Sequence, residues 1–140
     1  MIYVKAYIAA LAVFLPVDAV WLSFVANEFY FSQLGDLVAD EVRYDIAGAF
    51  YLMYVVGVVI FALGPAIERR SAGHAALFGA LFGFFCYATY DLTNMATLKD
   101  WPFLMSYVDM VWGPVLTATT AWGGYQVLRA LGQLPPRAAA

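Results

Sequence analysis

Apolar positions fall into four long runs, at about 2–25, 46–67, 74–98 and 103–128, separated by short polar stretches. A helix needs roughly 20 apolar residues, at about 1.5 Å each, to cross a bilayer. Each run meets that length. After Lys5, only Pro16, Asp18 and Ser23 interrupt the first run, and Pro16 frees the Ala12 carbonyl, which predicts a kink. The stretch at 27–45 is too polar to cross. Its Phe29, Tyr30, Leu34, Leu37 and Val38 recur at helical spacing between Gln33, Asp36, Asp40 and Glu41, which predicts an amphipathic helix lying on the membrane surface with a break near Gly35. Tyr30 and Tyr44 suit the interface there. Gly64 and Pro65 are expected to close the second span, and Glu68, Arg69, Arg70, Ser71 and Gly73 to form the following turn. Gly79 and Gly83 make a small-xxx-small pair in the third span that permits close approach by a neighbouring helix. Lys99, Asp100, Trp101 and Pro102 join it to the fourth, and the tail after Arg129 is expected to fray. The predicted fold is all-α: a single-domain four-helix transmembrane bundle with one surface helix.

Composition agrees with this class. The 140 residues are 64% hydrophobic and 12% charged, with a mean hydropathy of +0.76, far from soluble averages. A net charge of -3 with scattered basic residues excludes nucleic-acid binding, which needs a clustered basic footprint. Cys86 is the single cysteine, so the chain has no internal disulfide or redox pair. It reads as a small core hydrophobe.

Basic residues orient the bundle. Lys5, Arg69, Arg70, Arg129 and Arg137 would share the side of both termini, against Arg43 and Lys99 opposite. The positive-inside rule then predicts both termini in the cytoplasm and the acidic 27–45 stretch outside. The N-terminal run stays apolar through and beyond Ala10-Leu11-Ala12 until Asp18 and Trp21, so a retained first span is expected rather than a cleaved signal.

Three acids lie within the apolar runs. Counting along the helices puts Asp18 roughly 24 Å and Asp91 roughly 25 Å from the cytoplasmic face, and Asp109 about 9 Å in from the outer face. All three counts reach one outer-leaflet level. Charge at membrane depth is costly and is placed where a partner, cavity or function holds it. VDAVW in the first span and VDMVW in the fourth set Asp18 with Trp21 and Asp109 with Trp112 on one helix face. The opposed helix directions predict Trp21 near the interface and Trp112 toward the membrane centre. Tyr87, Tyr90, Asp91 and Asn94 form a stripe on the third span, and Tyr51 and Tyr54 of the second lie about 8 to 12 Å below the outer face. The candidate site is therefore Asp18, Trp21, Tyr51, Tyr54, Tyr87, Tyr90, Asp91, Asn94, Asp109 and Trp112.

Several motifs together resemble a known family. They are Asp18-Ala19-x-Trp21-Leu22, Phe50-Tyr51-Leu52-x-Tyr54, Tyr87-Ala88-Thr89-Tyr90-Asp91-Leu92-Thr93-Asn94, Ala96-Thr97-Leu98-Lys99-x-Trp101-Pro102 and Asp109-x-x-Trp112-Gly113. The chain resembles, over nearly its whole length, the bacterial membrane proteins grouped as domain of unknown function 2177. That resemblance implies a small bacterial inner-membrane protein with four spans and supplies no activity.

Three readings of the polar layer compete. The acids can be structural, hydrogen-bonded to Tyr, Trp, Thr and Asn across the bundle, although interhelical polar contacts in membranes average well under about 1 kcal/mol. They can be polar handles of a cavity for a small or lipid-like molecule walled by aromatic rings. Carboxylates held close in low dielectric cannot all be ionised, which leaves proton-linked transport or acid-base chemistry by a lipid-modifying enzyme open. The chain can also be an accessory subunit, with Gly79 and Gly83 or Gly123 and Gly124 docking another helix in a homo-oligomer or larger complex. Membrane lipids are partners in every case. His74, the single histidine, sits far from the acids at the opposite end and reads as interfacial, so no metal or haem site is predicted. No catalytic motif and no cofactor signature stands out.

Overall fold

The computed structural model describes residues 1–134, the side chains of Ala26 and Asn27 excepted; the tail expected to fray lies, from residue 135 onward, outside the described residues. Helix α1, Ile2–Trp21, passes through Pro16 and continues by a wide π turn, Leu22–Ala26, into α2, Asn27–Leu34. The turn changes the helix phase, so α2 presents a different face to the bundle from the one a uniform helix would offer. The break expected near Gly35 is present: Gly35 takes φ +50 in a short 3-10 turn, Gly35–Leu37, and Val38 is extended.

Helix α3, Tyr44–Val58, leads through a second π turn, Val59–Leu63, into α4, Gly64–Arg69. Gly64 and Pro65 therefore do not end the second apolar helix, contrary to expectation. The Gly64 N–H reaches back five residues to the Val59 carbonyl, and this wider register accommodates the missing donor of Pro65. Any side chain at Gly64 would collide with that carbonyl, at 2.8 Å from its Cβ. The helix stops instead at Arg70, in left-handed geometry, after which the Ser71 hydroxyl caps α5, Ala72–Thr97, by accepting from the His74 N–H at 3.1 Å. The last helix, α6, covers Phe103–Ala130 and closes at Gly132, where the Gln133 N–H returns to the Leu128 carbonyl at 2.9 Å.

All described regular structure is helical, and three stretches are long and apolar enough to cross a membrane: Ile2–Val25, Tyr44–Arg69 and Ala72–Thr97. Helix α6 is also long enough, about 42 Å at 1.5 Å per residue, but is more polar. Its position explains the difference. It packs against α5, α1, α3 and the second π turn, so much of its surface meets protein. Ser106, Thr117 and Thr120 are fully buried on it.

The core runs through Phe14, Val55, Val58, Leu63, Leu116 and Leu128. Helices α5 and α6 approach most closely where Gly83 faces Gly113: a Cβ on Gly83 would lie 2.2 Å from the Gly113 carbonyl oxygen. Gly79 packs on Thr117 and Ala118, Gly123 on Val13, and Gly124 on Ala10 and Leu63. The small-residue faces that the sequence offers to another helix are thus occupied within this chain. Large apolar side chains such as Phe24, Met53, Phe85 and Val111 cover the outside, a surface suited to lipid and not to water.

Candidate functional site

The polar layer is assembled by five helices. In α6, Ser106, Asp109, Gly113, Thr117 and Thr120 recur at spacings of three and four, which puts them along one face. In α1, Asp18 and Trp21 share a face for the same reason. Asp18 is buried and accepts a hydrogen bond from the Tyr51 hydroxyl of α3 at 2.6 Å. Trp21 stacks on Trp112 with ring centroids 4.1 Å apart and planes 8° from parallel. This corrects the expectation that the two indoles occupy different depths. Helical side chains lean toward their own N-terminus, so in an antiparallel pair Trp21 and Trp112 lean toward each other.

Tyr30 joins this pair from α2. Its hydroxyl accepts from the Trp21 indole N–H at 3.3 Å and donates to Asp109 Oδ1. Burial first, then the bond to Asp109, hold the Tyr30 phenol well above its ordinary range, so it stays a donor. The Trp21, Tyr30 and Asp109 groups form one directed relay. The π turn before α2 turns Tyr30 toward Trp21 and Asp109, and no local sequence pattern announces that turn.

Asp91, on α5, is fully buried, and neither carboxyl oxygen has a hydrogen-bond partner. Ser106 lies beside it, and because its oxygen accepts from the Trp101 indole N–H at 2.8 Å, its own hydroxyl proton is left to point toward Asp91. The Trp112 N–H lies close to Asp18 and is likewise buried without a partner. Unpaired buried polar groups are costly, and both occur within this layer. The three carboxyl groups do not bond to one another; Asp109 is close enough to interact electrostatically with each of the other two.

A cavity of about 700 Å³ opens between α3 and α5, within the range of small-molecule pockets. Phe50, Met53, Tyr54 and Gly57 wall one side, Phe82, Cys86, Tyr87 and Tyr90 the other, and Asp109 of α6 supplies the carboxylate. Met53 and Tyr90 at the lip are 68% and 55% exposed, so the opening faces sideways out of the bundle. Tyr54 donates to Thr117, at 2.7 Å, because the Thr117 hydroxyl is itself spent on the Gly113 carbonyl at 2.7 Å.

Of the ten residues singled out in the sequence, Tyr54, Tyr87, Tyr90 and Asp109 line the cavity. Asp18, Trp21, Tyr51 and Trp112 form the adjoining wall of hydrogen bonds and stacked rings. Asp91 is sealed between helices, and Asn94 lies next to Tyr90 and outside the cavity lining. Tyr30, Trp101, Ser106 and Thr117 were not anticipated. The three-and-four spacing of small and polar residues along α6 would have found Ser106 and Thr117.

Comparison with known proteins gives a family and no activity. The model of DUF2177, described as a predicted membrane protein, matches residues 3–126, and the chain belongs to that family. No curated protein and no solved structure matches it.

Proposed function

We propose that this member of the DUF2177 family is a four-span protein of the bacterial inner membrane, both termini cytoplasmic, that holds an amphipathic, lipid-like molecule in its outer-leaflet layer. Helix α6 is the fourth span in this reading, with bundle neighbours in place of lipid around its polar face, and α2 lies near the outer surface. The orientation rests on five basic residues against two, Arg43 and Lys99.

One observation carries the ligand reading: an aromatic and apolar cavity of about 700 Å³ that opens laterally and has a carboxylate in its wall. Such a shape admits a chain from the bilayer without passage through water, while the polar end finds Asp109 and the phenols of Tyr87 and Tyr90. Structural polar contacts alone would favour a closed, fully paired layer. The open cavity with Asp109 in its wall is unlike that arrangement.

The test is mass spectrometry of molecules that stay bound after purification in mild detergent. Wild type is expected to retain one species well above its share of the extracted lipid. Gly57→Leu, which drives a side chain toward Phe82 and into the cavity, should fold and lose it. A wild-type preparation carrying only bulk lipid in bulk proportions contradicts the reading.

A further inference from the structure

The charges around the cavity select among ligands that the proposed function would allow, and the following step rests on that reading. Each helix packed around the layer contributes groups of one kind. Helix α1 presents Asp18, α2 Tyr30, α3 Tyr51 and Tyr54, α5 Tyr87, Tyr90 and Asp91, and α6 Asp109. No Lys, Arg or His is among them. The described basic residues, at 5, 43, 69, 70, 99 and 129, stand at or near helix ends and in connections.

Asp109 is also only half used. Tyr30 donates to Oδ1, while Oδ2 has no hydrogen-bond partner among the described residues and the side chain borders the cavity. Tyr87 likewise makes no hydrogen bond among the described residues, and its ring forms part of the wall. A carboxylate in an apolar setting lacks the solvation it would have in water, and an anionic head group placed there would add repulsion from Asp109. A cation is attracted by the free carboxylate oxygen and by the faces of the surrounding rings alike.

We infer that the cavity takes a cationic amphiphile, its ammonium head between Asp109 Oδ2 and the Tyr87 ring and its chain along Phe50, Met53 and Gly57 toward the lipid. An ammonium group can come from a lipid-like molecule or from a small soluble amine, and the choice of probes separates them.

Cys86 supplies the readout, being the single cysteine and part of the cavity wall. Its alkylation by N-ethylmaleimide is followed on the full chain in a non-ionic maltoside detergent, with dodecyltrimethylammonium, dodecanol, dodecanoate or tetramethylammonium added at equal concentration. Dodecyltrimethylammonium is expected to slow the reaction about fivefold or more relative to dodecanol and dodecanoate, as a charge-paired, ring-faced cation should. Asp109→Asn should erase that difference and Asp109→Glu should keep it. If the Asn variant fails to fold, the wild-type ratio already decides. Equal protection by dodecanol and dodecyltrimethylammonium overturns the charge inference and leaves the lipid-like site standing. Protection by tetramethylammonium equal to that by the long-chain cation keeps the charge preference and overturns the amphiphile. A Cys86 that reacts freely with every probe present overturns both.

Discussion

The α5–α6 seam treats polar groups in opposite ways at its two ends. Around Gly79, Gly83 and Gly113 the backbones nearly touch, and the hydroxyls are satisfied nearby: Thr117 donates to the Gly113 carbonyl at 2.7 Å and Thr120 to the Leu116 carbonyl at 2.8 Å. Around Asp91 and Asp109 the same helices leave Asp91 without a partner, hold Asp109 at the edge of a cavity, and draw in Tyr30 from outside the apolar helices. One end is built for contact. The other tolerates unsatisfied groups and space, which is what a site needs and a packed core avoids.

The contrast predicts a steep gradient of mutational cost. Gly83→Ala should be the most damaging, since its Cβ would meet the Gly113 oxygen at 2.2 Å and the Thr117 hydroxyl at 2.4 Å. Moving two packed helices apart should cost about 3 kcal/mol in reversible unfolding from mixed micelles. A loss below about 0.5 kcal/mol would mean that the seam is not tight. Tyr51→Phe removes the hydroxyl that donates to Asp18 at 2.6 Å, and a loss of about 1 kcal/mol is expected in the same assay. Stability unchanged by that variant would put the hydrogen bond outside the wall's energetics. Gly48→Ala is the opposite control. Nothing lies within 4 Å of the added Cβ, so better helix propensity should raise stability by about 0.5 kcal/mol, whereas a measurable loss would point to an unseen neighbour at that face.

Helices and the candidate layer were legible in the sequence to different degrees. Long apolar runs fix where helices form, and a rise of about 1.5 Å per residue fixes how far along its helix each acid lies. Hydropathy could not reveal how α6 is surrounded, because a helix wrapped by neighbours carries Ser106, Thr117 and Thr120 without facing lipid. Local irregularities hid the rest. The π turn at Leu22–Ala26 sets the direction of Tyr30, and the one at Val59–Leu63 carries the chain through Gly64 and Pro65. Neither turn follows from residue type alone. The stacking of Trp21 on Trp112 was within reach, since side-chain lean in antiparallel helices predicts it once VDAVW and VDMVW are placed side by side.

The central claim is that the polar layer is a site and not packing glue. The most direct measurement takes Asp18→Asn, Asp91→Asn and Asp109→Asn separately and scores each for folded yield and for the molecule retained through purification. Asp109→Asn should fold in wild-type yield and come away empty. Equal collapse of folded yield in all three variants, from a wild type that itself retains nothing, would contradict the account.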